Sequence, residues 1–139
     1  MSFQAASSEQ GRQFAEQCDT LLKNSGFDLL RNRVRLMDLG VEIDREARSR
    51  SGRVVWFEYK GSVQGDRPGL IRTDTLKKAI ANGALIRGLD HHPPFVILTS
   101  HVPSGGSGLA MLETARRLGY FDDLIRIYDP SEARRLRRL

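Results

Sequence analysis

The run Val54–Val55–Trp56–Phe57–Glu58–Tyr59–Lys60 is apolar until its last three residues, where a carboxylate and an ammonium stand two positions apart. Side chains alternate across a strand, so Glu58 and Lys60 share one face while Phe57 and Tyr59 take the other. Charges at the end of an otherwise buried strand are costly unless they find partners. Just upstream, Val41–Glu42–Ile43–Asp44 is a second β-like run that closes on another carboxylate. If the two runs are neighbours in one sheet, Asp44, Glu58 and Lys60 converge at one sheet edge, a trio that can hold a divalent cation beside a phosphodiester.

Length and composition narrow the class further. The 139 residues fit one domain, 1–139, with a single core. Apolar residues make up 40% and charged residues 28%, the balance of a water-exposed globular fold. No apolar run approaches the roughly 20 residues that a membrane helix needs, and Met1–Gln10 lacks the basic and apolar regions of a signal peptide. The single cysteine, Cys18, excludes an intrachain disulfide and suits a reducing, cytoplasmic setting. A net charge of +5 favours polyanionic partners, although much of the excess sits in a basic C-terminal tail at about 131–139 with Arg134, Arg135, Arg137 and Arg138.

The order of elements follows from periodicity and breakers. Ser7 or Ser8 is placed to cap a helix running to about Asn24, with Phe14, Cys18, Leu21 and Leu22 at helical spacing and Ser25–Gly26 as its stop. Val34 and Leu36 alternate with arginines, as on an edge strand. Val41–Ala47 is the next strand, Ser49–Gly52 a hairpin turn and Arg53–Gly61 the third strand. The polar loop Gly61–Gly69 leads to a helix capped by Thr73 or Asp74 and running to about Leu89, with Leu76, Ile80, Ala84 and Leu85 on its apolar side. Phe95–Thr99 is uniformly apolar, the mark of a strand covered on both faces. A glycine-rich loop at Ser104–Ser107, a helix from about Gly108 to Leu118 and a short strand at Leu124–Tyr128 complete the chain before its basic tail. The sum, αβββαβαβ, predicts an α/β domain with a mixed sheet and helices on both faces.

This order, with Asp44 and then Glu58–Tyr59–Lys60 at the strand ends, resembles the PD-(D/E)XK nuclease superfamily, the restriction-endonuclease-like fold. Gly11-x-x-Phe14-x-Glu16, followed by Leu21–Leu22 and Ser25–Gly26–Phe27, is similar to the first helix of its Mrr-like and Holliday-junction-resolvase-like branches. Many Mrr-like proteins carry the helix glutamate directly after the phenylalanine. Ala15 stands there in this chain and Glu16 comes next, while Ile43 replaces the proline of the superfamily's name. The resemblance implies a metal-dependent DNA endonuclease. Asp44, Glu58 and the backbone carbonyl of Tyr59 would then hold Mg²⁺ or Mn²⁺, Lys60 would act on the attacking water, and Glu16 would serve a second metal or a metal-bound water.

The chemistry accounts for these residue types. Phosphodiesters hydrolyse slowly because an anionic centre repels hydroxide and an alkoxide must leave. A hard cation takes a few carboxylates, waters and phosphate oxygens, stabilises charge on the phosphate and lowers the pKa of a bound water. A nearby ammonium such as Lys60 offsets charge developing at the phosphate.

Each assignment has a plainer reading. Glu58–Lys60 could be an exposed salt bridge worth little, although the apolar residues before it argue for burial. Asp44 could be a residue that ends a strand, and Glu42 and Glu16 solvated positions. Cys18 reads as a small core residue, and His91–His92 point apart on an extended segment, which disfavours a zinc site. Arg72, Lys77 and Lys78, around the start of the helix after the Glu58 strand, suit a DNA backbone or a solvated helix face equally. The Ser104–Gly108 segment lacks the Gly-Lys-Ser/Thr of a P-loop and reads as a connector that could receive a phosphate. The alternative to a nuclease is a catalytically inactive nucleic-acid-binding module of the same fold, a subunit of a larger assembly. A basic RNA-associated α/β protein ranks last, because it leaves the carboxylate–lysine cluster unexplained. With little room for a separate sequence-reading domain, a homodimer or a protein partner is compatible with either case.

Overall fold

Residues 3–62 and 69–139 are described by the structure, a computed structural model, residues 3–8 by their backbone. One helix, α1 (Phe3–Asn24), precedes three strands: β1 (Asp28–Leu36), β2 (Val41–Arg48) and β3 (Val54–Lys60). A 3-10 turn at Gly69–Ile71 leads into α2 (Thr73–Ile86), and β4 (Phe95–Thr99), α3 (Gly106–Leu118) and β5 (Asp123–Arg126) follow. The chain closes with α4 (Pro130–Ala133), continued as a 3-10 segment over Arg134–Arg138. The five strands form one mixed sheet in sequence order. β1–β2 and β2–β3 are antiparallel, while β3–β4 and β4–β5 are parallel, each parallel pair joined through a helix. The expected α/β class and element order hold.

Apolar side chains fill both faces of the sheet. On one, Phe14, Cys18 and Leu22 of α1 recur every four residues and bury against Val55, Phe57, Val96, Leu98 and Ile125. On the other, Leu76, Ala79 and Ile86 of α2 and Leu112 and Ala115 of α3 cover Ile43, Trp56, Phe95 and Ile97. Interior β4, apolar from Phe95 to Leu98, is therefore buried at every position.

The terminal segment is docked rather than a free tail. Asp129 caps α4, accepting from the N–H groups of Ser131 and Glu132. Leu136 is buried in the α1-side core, and Arg135 forms a bidentate pair with Asp123 at 3.0 and 3.1 Å.

Several boundaries differ from expectation. α1 begins at Phe3, so Ser7 and Ser8 lie within it; Gln4, Ala5 and Ala6 are good helix formers that carry the helix upstream. α2 starts at Thr73 with no side-chain cap and ends at Ile86, short of Leu89. Its buried face is Leu76, Ala79, Gly83 and Ile86, whereas Leu85 is exposed. Gly83 explains the rotation: a Cβ there would collide with the carbonyl oxygen of Tyr120, so α2 approaches the α3–β5 connection closely through this bare position. Of the expected Gly61–Gly69 loop, residues 63–68, including Gly65 and Pro68, lie outside the described residues.

Alternation breaks once in β2, and the break positions Asp44. Ile43 packs in the core with Trp56, and Glu46, three residues on, accepts the Trp56 indole N–H at 2.9 Å. Two residues three apart can share a face only if the alternation slips between them. β1 slips in step: Val34 lies in that same core, while Arg31 pairs with Glu46 through two 2.9 Å bonds. Between the paired positions Asn32–Arg45 and Val34–Ile43 stand Arg33 and Asp44. Arg33, at φ 49°, is the one non-glycine residue with positive φ among the described residues.

Candidate active site

The β2–β3 ladder pairs Arg45–Arg48 with Val54–Phe57 and stops at Arg45–Phe57. Asp44 and Glu58 are the next residues on their strands, where the two chains are released from backbone pairing. Asp44 accepts the Tyr59 backbone N–H at 2.7 Å. Glu58 is only 2% exposed; one carboxylate oxygen lies 3.3 Å from the Lys60 ammonium, and the other accepts from the Asn82 amide of α2 at 2.8 Å. Lys60 is partly exposed, so the cluster opens to solvent on the lysine side. The structure thus brings Asp44, Glu58 and Lys60 together, with Tyr59 between the last two.

Electrostatics follow from this burial. Loss of water pushes the Glu58 carboxyl up to about 7; the Lys60 ammonium opposes the rise, the Asp44 charge adds to it and the Asn82 hydrogen bond opposes it. On the opposite face, Tyr59 donates its hydroxyl to Asp19 of α1 at 2.6 Å. Burial, reinforced by Asp19, raises the Tyr59 phenol well above its usual range. Asp19 also accepts from Arg45 Nε and Nη2 at 3.0 and 2.8 Å.

Gly61 and Gly69, on either side of residues 63–68, are packed tightly. A Cβ on Gly61 would lie 2.6 Å from the Phe14 ring and 2.7 Å from Ser100 Oγ. Gly69, at φ +61°, re-enters over the end of β4, where a Cβ would meet Thr99 Oγ1 and the His101 N–H nitrogen.

The other candidates lie elsewhere. Glu16 is exposed on α1 and faces a groove of about 510 Å³ with Gln13, Gln17, Thr20, Asn24 and Tyr128; no described contact joins it to Asp44, Glu58 or Lys60. Glu42 is exposed opposite Arg35. Arg72 stands at the start of α2, with Lys77 and Lys78 in its first turns; all three are exposed and form no ion pair among the described residues. Cys18 is buried in the α1-side core, where burial pushes its thiol up. His91 and His92 are exposed in the α2–β4 loop.

Two polar residues at the site were not anticipated. Asn82 carries a signal, since Asn-Gly in mid-helix is a poor choice for the backbone and suggests a side chain needed for a contact. Asp19 borders the apolar stripe Phe14–Cys18–Leu22, but nothing local announces its pairing with Arg45, 26 positions away.

Among the described residues no three His, Cys, Asp or Glu side chains gather into a metal-holding group. The acid pair alone suits a hard cation, which commonly uses one or two carboxylates and completes its shell with water and phosphate oxygens. The Asp44 charge adds to the cost of ionising the buried Glu58, and a divalent cation between them would relieve it. No family model, curated protein or solved structure matches this chain.

Proposed function

We propose that the chain is a metal-dependent nuclease with a restriction-endonuclease-like core, hydrolysing phosphodiester bonds in DNA. The observation that carries this reading is the placement of Asp44 beside the buried Glu58, beyond the end of the β2–β3 ladder, with Lys60 3.3 Å from Glu58. Asp44, Glu58 and the Tyr59 carbonyl would hold Mg²⁺ or Mn²⁺. When bound, the cation supplies charge neutralisation at the phosphate and a more acidic water. Lys60 would act on the attacking water and offset charge on the phosphate oxygens, while Asn82 would keep Glu58 oriented. Arg72, Lys77 and Lys78, at the start and in the first turns of the helix that carries Asn82, form no ion pair among the described residues and would offer cations to the DNA backbone. Cutting both strands of a duplex requires two sites or two successive nicks, so a second copy or a protein partner fits this reading.

Asp44→Ala and Lys60→Ala should each abolish metal-dependent cleavage while leaving the circular dichroism spectrum unchanged. Undiminished turnover in either variant would remove that residue from the mechanism. A second reading draws on the Lys60–Glu58 contact itself, which already sets an ammonium beside the carboxylate. In that case the chain is a non-catalytic nucleic-acid-binding module, and salt-sensitive DNA binding without cutting is its signature.

A further inference from the structure

We propose that Asp19 is a positioning residue that holds the two acid-bearing strands at their working separation; this rests on the nuclease reading above. Backbone pairing between β2 and β3 ends at Arg45–Phe57, so no ladder bond sets the distance between Asp44 and Glu58. The residues that follow them, Arg45 and Tyr59, project to the opposite face, toward α1. There one carboxylate takes both: Arg45 through two bonds at 3.0 and 2.8 Å, Tyr59 through one at 2.6 Å. The Tyr59 N–H reaches back to Asp44 at 2.7 Å. Asp19, Tyr59, Asp44 and Arg45 thus form a closed ring in which three hydrogen-bonded links and one peptide connection encircle the strand ends.

The anchor is firm. Asp19 belongs to a helix whose Phe14, Cys18 and Leu22 are fully in the core. The Asp19 and Arg45 side chains are 25% and 14% exposed, where bidentate charge-assisted bonds hold well against water. Gripping the neighbours of Asp44 and Glu58 fixes their backbone angles without occupying the face on which DNA and cation would sit. A second bidentate pair, Asp123–Arg135, has the same chemistry but docks the terminal segment, and so provides a control.

The test measures Mn²⁺ affinity by titration calorimetry, and kcat and KM for plasmid nicking, in wild type, Asp19→Ala, Asp19→Asn, Tyr59→Phe and Asp123→Asn. Disturbing residues that orient metal ligands commonly costs about 10–100-fold in metal affinity or activity. Asp19→Ala should weaken Mn²⁺ binding and lower kcat by about that factor, with KM for DNA little changed. Asp19→Asn, which still accepts from Tyr59, should recover part of the loss. Tyr59→Phe should show a smaller loss, and Asp123→Asn should lower Tm while leaving Mn²⁺ affinity and kcat intact. Wild-type Mn²⁺ affinity in Asp19→Ala, or losses that track Tm equally in the Asp19 and Asp123 variants, would overturn the proposal. If Asp44→Ala and Lys60→Ala abolish nicking but Asp19→Ala does not, the clamp alone fails. If those two variants keep full activity, or wild type binds no Mn²⁺, the nuclease reading fails and the clamp with it.

Discussion

Glu58 is a carboxylate withheld from water, with a lysine on one oxygen, an asparagine on the other and Asp44 alongside. Its pKa rises from the ordinary 4.5 to about 7, so the folded state binds a proton that the unfolded chain has already lost in that interval. The stability this proton confers is present below pH 4.5, declines as pH rises through about 7 and is gone above it. In EDTA, Glu58→Gln should therefore be more stable than wild type at pH 8, and the gap should close near pH 4.5. Thermal melts at the two pH values check this, and an equal gap at both would show that ionisation is not its source. The shared face of Glu58 and Lys60 was legible in the sequence because strand alternation is a local rule. Asn-Gly in mid-helix hints at a contact for Asn82, but its partner lies 24 positions away and those of Asp19 lie 26 and 40 away, joined only by packing.

At the scale of elements, the slip shared by β1 and β2 matters most, since it takes Asp44 out of the alternating pattern. Nothing in Val41–Glu42–Ile43–Asp44 signals it; the slip lets both Ile43 and Glu46 lie on the Trp56 side of the sheet. The α2 boundaries misled for a related reason. Leu85 looked like a core residue by spacing, but the close approach at Gly83 turns the helix so that Leu85 faces solvent. Gly83→Ala should lose about 1–3 kcal/mol, as overpacked positions do, read as a lower urea midpoint; an unchanged midpoint would mean that the contact with Tyr120 relaxes freely. The terminal segment makes a parallel case. Leu136→Ala should cost about 2–5 kcal/mol in the same measurement, because Leu136 is buried in the α1-side core.

For the whole molecule, the sheet separates two cores, and the acid pair sits where the central antiparallel ladder ends. Element order and the two-sided cover were readable from hydrophobic periods, whereas the docking of the basic terminus depended on Arg135 meeting Asp123. No helix among the described residues is long and apolar enough to cross a membrane. A ligand that binds only the folded state stabilises it, by about 2.7 kcal/mol at a hundred times its Kd. Mn²⁺ should accordingly raise the Tm of wild type and leave Asp44→Asn unmoved. The most direct measurement of the central claim is nicking of supercoiled plasmid, with forked and single-stranded oligonucleotides alongside, in Mg²⁺ or Mn²⁺, comparing wild type with Lys60→Ala. Metal-dependent cleavage by wild type, lost in Lys60→Ala, is the predicted result. Salt-sensitive DNA binding by both proteins with no cleavage of any substrate would contradict it and leave a binding module in the nuclease's place.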